Sequence, residues 1–319
     1  MQAFFGLDNL PANFRNVTSA IGVFDGLHRA HMEIIGQVTK LAQQQGNRSL
    51  LITFEPHPRH VLKPVAGDEL RILTTPREKM NLLQGSQLEG MLFLDTSPDL
   101  LAMEAEVFVK YVLVERLKIK DLVVGHDFHF GCNRLGTPDL LHTMGLKDGF
   151  RVISVDNIRI GNEIVRSSSI RQLLAAGEIG PANRLLGREY SVSGIVVRGD
   201  GRGRGLGFPT ANIFVPDKHK LTPGPGIYLV RVVLNGLSYW GMGYIGTRQT
   251  FGENDQVIET HLFDFPDSDT YGHEINVSFI EWVRADYRFA SAAQLVEQMH
   301  TDRQLCQRKI QEYHQMEEK

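Results

Sequence analysis

Between Gly199 and Asn212 the chain reads Gly-Asp-Gly-Arg-Gly-Arg-Gly-Leu-Gly-Phe-Pro-Thr-Ala-Asn. Glycine lacks a Cβ, so its backbone can take positive φ and come close to a ligand. A run of such amides can form a concave anion site. Gly201, Gly203 and Gly207 are the candidate cradle, and Arg202 and Arg204 add fixed charge suited to phosphate. Phe208 and Pro209 follow as a rigid exit. Thr210 and Asn212, two apart, project to the same side of an extended segment. A hydroxyl and an amide carbonyl are oxygen ligands of the kind a phosphate-bound Mg²⁺ accepts. The chemistry implied is phosphoryl transfer, against the plain alternative of a flexible glycine turn. No Gly-Lys-Ser/Thr follows these glycines, and they never fall at G-x-G-x-x-G spacing, so the loop is neither of the two familiar nucleotide motifs.

Two further groups carry polar chemistry. Around Ile258-Glu259-Thr260-His261, a strand would put Glu259 and His261 on one face and Thr260 on the other. Phosphoryl transfer to a hydroxyl needs a base near the attacking oxygen. In Phe24-Asp25-Gly26-Leu27-His28-Arg29-Ala30-His31, two imidazoles stand where a helix should begin. Free N–H groups and partial positive charge there favour phosphate. His28/His31, His57/His60 and His126/His129 also form three His-x-x-His pairs that read as a rival zinc site. Against it, Pro58 disfavours a helix after His57, His126 and His129 sit past a strand end, and no cysteine pair or His-Glu-x-x-His motif supports a metal hydrolase.

The elements that must position these residues change in kind halfway along the chain. Strands are expected at Val17 to Val23, Ser49 to Phe54, Met91 to Leu94, Asp121 to Val124 and, last in this half, Phe150 to Val155. Ile34, Ile35, Val38, Leu41 and Ala42 recur at helical spacing, with Gly46 as the stop. Arg77 to Leu83 and Ala105 to Leu117 read as further helices. This alternation implies a parallel α/β sheet with ligands at the carboxyl ends of its strands. Later segments, at Tyr190 to Val197, Gly226 to Leu234, Leu237 to Tyr244, Val257 to Phe265 and Glu274 to Val283, are strand-like at hairpin spacing. Asn235-Gly236 marks a hairpin turn. The second half therefore reads as an antiparallel barrel, closed by a helix from about Ser291 to His314. Asn183 to Arg188 reads as the join, which gives domains at 1–185 and 186–319.

Length and composition fit two such domains. The chain has 319 residues, 42% of them hydrophobic, enough for two ordinary cores. A net charge of −3 implies no general polyanion-binding surface, and no recognition-helix signature points to nucleic acid. Two cysteines, Cys132 and Cys306, are too few for a disulfide framework and suit a reducing compartment. The N-terminus has no secretory pattern, and no apolar run reaches the ~18 residues of a membrane helix. A cytoplasmic protein without membrane partners is expected. Oligomeric state is not legible.

The glycine segment resembles the nucleotide loop of riboflavin kinases, G-x-G-R-G-x-x-L-G-F-P-T-A-N, with Arg198 and Gly205 where many relatives have His and Thr. Tyr244 to Phe251 resembles the loop Asn-Ile-Gly-Thr-Arg-Pro-Thr-Phe of the same proteins, departing at Tyr244 and Gln249. Gly22 to His31 resembles the HxGH nucleotidyltransferase superfamily, in its FMN adenylyltransferase branch. Thr53 to Pro58, Val124 to Gly131 and Ser167 to Arg171 resemble that branch's other motifs. Together they resemble the bifunctional riboflavin kinase/FMN adenylyltransferase (FAD synthetase) family over nearly the whole chain. The resemblance implies ATP, riboflavin, FMN and FAD as small-molecule substrates and products, with Mg²⁺ held by Thr210 and Asn212. It implies Glu259 as kinase base, with His28 and His31 stabilising phosphate charge. Phe24, Asp25, Gly26, His57, Asp127, Ser167, Ser168 and Arg171 would line the adenylyl site. Ala30 replaces the usual Gly of HxGH, and Arg166 fills the first place of the usual Ser-Ser-Thr-x-Ile-Arg. These departures keep open a kinase-only enzyme and, more remotely, a flavin-binding regulator.

Overall fold

The buried strands of the first half feed two cores at once. In the computed structural model, which describes residues 1–62, 69–199, 201–250, 253–266 and 269–317, the chain divides into two units, Met1–Ser167 and Ser168–Lys319. The first is built on β1 (Gln2–Phe5), β2 (Thr18–Ile21), β3 (Ser49–Glu55), β4 (Gly90–Asp95), β5 (Asp121–Gly125) and β6 (Arg151–Val155). These run parallel in the order β1-β4-β3-β2-β5-β6. Leu50, Ile52, Leu92, Leu94, Leu122 and Val124 join one apolar cluster. Leu51, Met91, Phe93 and Val123, which alternate with them, join the other. Burial on both faces is why these strands read as continuous apolar runs. Buried Asp121 ties three strands together: it accepts from Thr18 Oγ1 at 2.9 Å and from Arg151 Nε at 2.7 Å.

The helices of this unit are α1 (Arg29–Gln45), α2 (Pro58–Val61), α3 (Pro76–Leu83), α4 (Pro98–Ala102), α5 (Ala105–Phe108) with a π-helical continuation at Val109–Arg116, and α6 (Pro138–Asp148). α1 buries Ile34, Ile35, Val38 and Ala42 and stops at Gly46, whose φ of 66° is left-handed. The expectation at Pro58 is overturned. Proline constrains the residue before it, and His57 is indeed non-helical, but proline is itself favoured at the first position of a helix, where its missing N–H would have no partner. Helices α4 and α6 were not legible, nor were the edge strand β1 and a two-strand hairpin of β7 (Arg159–Ile160) and β8 (Glu163–Ile164), so β6 is not the last strand of this half.

In the second unit, β9 (Tyr190–Val197), β10 (Ala211–Phe214), β11 (Gly226–Leu234), β12 (Leu237–Thr250), β13 (Glu253–Leu262) and β14 (Glu274–Arg284) close an antiparallel barrel in the order β10-β13-β12-β11-β14-β9. Asn235 and Gly236 turn the β11–β12 hairpin with φ of 52° and 77°. Helices α7 (Ser167–Ala175), α8 (Ile179–Leu186), α9 (Arg202–Gly205) and α10 (Ala292–Glu317) complete the unit. Asn183 to Leu186, read as a join, is the last turn of α8. Asn183 Nδ2 donates to Phe279 O at 2.9 Å and its Oδ1 accepts from Tyr190 N at 2.7 Å, so α8 is fastened to the barrel. α10 covers an outer cluster of Phe208, Leu229, Met242, Phe263 and Cys306. Its buried Asp302 accepts a two-pronged bond from Arg284 at 2.8 and 3.0 Å, which anchors the helix to the end of β14.

Candidate active sites

In the first unit the chain steps outward from β2 to β3 to β4, then adds β5 and β6 on the other flank of β2. The order reverses between β2 and β5, and ligands of open parallel sheets bind at the carboxyl ends of strands at such a reversal. Phe24 to His31 follows β2, His57 follows β3 and Asp127 follows β5. Three motifs far apart in sequence thus stand at the ends of three neighbouring strands.

His28 is the N-cap of α1: its Nδ1 accepts the His31 backbone N–H at 3.4 Å. A nitrogen that accepts carries no proton, so the neutral ring holds its hydrogen on Nε2. The His28 and His31 rings stack with centroids 3.5 Å apart, and Phe24 meets His31 edge-on at 5.2 Å. The turn before them is strained. Phe24, Gly26 and Leu27 have φ of 49°, 90° and 40°. For the two non-glycine residues that conformation costs on the order of 1 kcal/mol each. It is held by side chains from elsewhere. Asp25, 3% exposed, accepts from Leu73 N at 2.8 Å and Thr74 N at 3.0 Å. Gly26 N donates to Thr74 Oγ1 at 2.9 Å, and Ser167 Oγ donates to Asp25 O at 2.8 Å. Asp25 and Ser167 therefore shape the loop directly.

His57 Nδ1 caps α2 by accepting from Arg59 N at 3.1 Å, and His60 Nε2 lies 2.8 Å from Leu70 O. Asp127 is exposed, with Arg166 Nη2 at 3.7 Å. Ser168 is exposed and Arg171 half-buried on α7, in the second unit. No cluster of three or more His, Cys, Asp or Glu suited to a metal occurs among the described residues.

In the barrel, Asn212 of β10 lies directly opposite Glu259 of β13. Thr210 Oγ1 donates to Glu259 Oε2 at 3.2 Å. The hydroxyl proton is thereby directed at the carboxylate, and the oxygen lone pairs remain for a cation. The glycine loop folds as one helical turn, α9, with Gly201 at φ 68° before it. Phe208 N closes the turn onto Gly203 O at 2.8 Å. A Cβ at Gly203 would lie 2.3 Å from the Phe208 backbone O, so that position needs glycine, and one at Gly199 would lie 2.1 Å from Asn212 Nδ2 and displace that side chain. Arg204 lies in α9 and Gly207, at φ 81°, just after it. Asp200, the Arg202 side chain and Phe251 lie outside the described residues. Tyr244 to Thr250, read as a loop, continues β12, and Tyr244 Oη donates to Asp286 at 2.9 Å.

His261 is buried beside this centre. Its Nδ1 is 2.8 Å from Pro209 O, which fixes Nδ1 as the donor, and its Nε2 has no hydrogen-bonding partner among the described residues. Burial lowers its pKa from the ordinary value, with the Arg303 guanidinium adding to the effect. Phe208, 1% exposed, packs edge-on against His261 and His300. Beside the loop, Leu206 and the α10 residues Ala292, Ala293, Val296 and His300 line a cleft of about 650 Å³.

Residues 10–169 match the family model described as FAD synthetase, and residues 186–310 match the one described as riboflavin kinase. The chain is 35% identical to the bifunctional riboflavin kinase/FMN adenylyltransferase of Pseudomonas fluorescens over 95% of this chain and 96% of that one. The chain belongs to this bifunctional family. Its counterpart in Escherichia coli K12 is 34% identical over the same shares of each chain. A crystal structure from Streptococcus pneumoniae, described as a macrolide-efflux protein, has a TM-score of 0.87 at 27% identity and covers 96% of this chain and 99% of its own. No described helix here is long and apolar enough to cross a membrane. Sequence reasoning missed Thr53, Thr74, Lys79 and the cleft residues of α10, because their partners are distant in sequence. For Thr74 one cue existed: Thr75-Pro76-Arg77-Glu78 is a capping box that fixes the chain beside it.

Proposed function

We propose that the chain phosphorylates riboflavin with ATP to give FMN, then adenylylates FMN with a second ATP to give FAD and pyrophosphate. The observation that carries this reading is the coexistence of both constellations in one family member: Thr210, Asn212 and Glu259 converging in the barrel, and stacked His28 and His31 at a helix N-terminus. We assign phosphorylation to 186–319 and adenylylation to 1–185.

In the barrel, Glu259 takes the proton of the ribityl 5′-hydroxyl as that oxygen attacks the γ-phosphate. The Thr210 bond orients the carboxylate for this. Backbone amides of the glycine loop and Arg204 bind the phosphates. The α10 cleft takes the isoalloxazine ring, since its size suits such a ligand. The Thr210 hydroxyl and Asn212 amide are hard oxygen donors, few in number, and suit Mg²⁺, which keeps waters and phosphates as its other ligands. Held by these two side chains, such an ion would supply positive charge against the phosphates. In the first unit, the FMN phosphate attacks the α-phosphate of ATP. His28, His31 and the amides of the first turn of α1 stabilise the charge that builds, and pyrophosphate leaves. Positioning and electrostatics suffice, with no covalent enzyme intermediate. His57 and Asp127 complete the nucleotide contacts in this unit. A cytoplasmic location belongs to the same proposal, since both steps consume ATP.

Incubation with riboflavin, ATP and Mg²⁺, with flavins resolved by chromatography over time, is expected to show FMN rising first and FAD following. FMN that accumulates without FAD would leave only the kinase half. Asn212→Ala is expected to raise the Mg²⁺ concentration needed for FMN formation and to leave FMN-to-FAD conversion unchanged. Equal losses in both reactions would mean misfolding and would remove the metal assignment.

A further inference from the structure

The least accounted-for charge in the first unit is Lys79. It lies on α3 and is 3% exposed. Burying an ammonium is costly unless it is paired or bonded. Here burial pushes the Lys79 pKa down, while the charges of Asp25 and Glu55 hold it up. Its ammonium donates to a main-chain oxygen, Val23 O, at 2.9 Å. Thr53 Oγ1 donates to the same carbonyl, also at 2.9 Å. Val23 immediately precedes the strained run of Phe24, Gly26 and Leu27 that delivers His28 to the N-cap of α1. Strained backbone persists only where its surroundings over-determine it. Thr53, Thr74, Ser167, the amides of Leu73 and Thr74, and the Asp25 carboxylate also hold this turn. Lys79 is the cation among them.

We propose that Lys79 is a positioning residue for adenylyl transfer. Through its bond to the Val23 carbonyl it fixes the start of the turn, and so the placing of the His28 and His31 rings on the phosphates. It touches neither substrate. Thr53 and Lys79 approach one oxygen from β3 and α3, so the carbonyl is clamped from two elements and the turn cannot relax toward negative φ by rotating the peptide between Val23 and Phe24. The inference rests on the adenylyltransferase reading above.

The test uses the full-length protein and two variants, Lys79→Met and Lys79→Gln. The readout is the single-turnover rate of FAD formation at saturating ATP and FMN, divided by the number of ATP-binding sites in that unit counted by titration. Counting sites removes any loss that comes only from misfolded protein. Riboflavin phosphorylation by the second unit is followed in the same samples. Lys79→Met is expected to slow the per-site rate by about tenfold to 10²-fold, the scale on which small misplacements act. Lys79→Gln, whose amide can still donate to Val23 O, is expected to recover most of that loss. A Lys79→Met protein with fewer sites but a per-site rate within twofold of the parent would make Lys79 merely structural. A Lys79→Gln protein as slow as Lys79→Met would assign the effect to charge and overturn the clamp. If Lys79→Met does not fold, Thr53→Val removes the other donor to the same oxygen without changing shape. It too is expected to lower the per-site rate, and an unchanged rate would overturn the clamp. Absence of FAD from the parent protein would instead sink the adenylyltransferase reading itself.

Discussion

Glu259→Gln is expected to remove FMN formation almost completely while riboflavin and ATP still bind. The amide keeps the size and planarity of the carboxylate and can still accept the Thr210 hydroxyl bond seen at 3.2 Å, so the β10–β13 pairing should be undisturbed. What it cannot do is take a proton. General-base assistance is typically worth about 10²- to 10⁴-fold, or about 3 to 5 kcal/mol of activation free energy. The loss should appear in kcat, with KM for riboflavin and ATP little changed, because the interaction removed is made in the transition state. FMN supplied from outside should still be converted to FAD at the parent rate. The competing base is His261, two residues along the same strand face. Its Nδ1 is committed to Pro209 O and its Nε2 is buried among Phe208 and Phe263, so it serves the loop rather than the substrate. Near-normal riboflavin turnover by Glu259→Gln would remove Glu259 from the mechanism and turn attention to His261.

The sequence was legible where one residue type has one physical use. Gly46 as a left-handed stop, Asn235-Gly236 as a hairpin turn and the apolar runs of β3 to β5 could be read locally, because each obeys a rule spanning a few residues. Illegible features depend on distant partners. β1 is short and lies at an edge, where only its pairing with β4 makes it a strand. α8 reads as a join because its apolar stripe, Ile179, Ala182, Leu185 and Leu186, is short and gains meaning only against the barrel. Asp25 in the sequence looks like a ligand-binding carboxylate. In the fold its oxygens are engaged by amides some 48 residues further on. Pro58 misleads for another reason: the same ring that restricts the preceding residue also starts a helix well.

His28→Ala and His31→Ala are each expected to abolish FMN-to-FAD conversion and to spare riboflavin phosphorylation. The two rings stack at 3.5 Å over the first turn of α1, where the helix dipole and orphan amides already favour an anion. Removing one donor aimed at developing phosphate charge typically costs about 10²- to 10³-fold. His28→Ala also deletes the helix cap, so part of its effect is structural, about 1 kcal/mol. His28→Asn separates the two roles: asparagine caps helices well but offers no imidazole N–H. FAD synthesis should stay low in His28→Asn while thermal stability returns to the parent level. Recovery of activity with the cap alone would reduce His28 to a structural residue. Ala30, one residue before His31 in that turn, carries a methyl where the HxGH pattern that the segment resembles has only hydrogen. If that methyl crowds the phosphates, Ala30→Gly should lower the ATP concentration that half-saturates FAD synthesis, despite a helix-propensity cost of about 1 kcal/mol. An unchanged or weaker ATP dependence would mean that the turn held by Asp25, Thr74 and Ser167 has already opened enough room for the extra carbon.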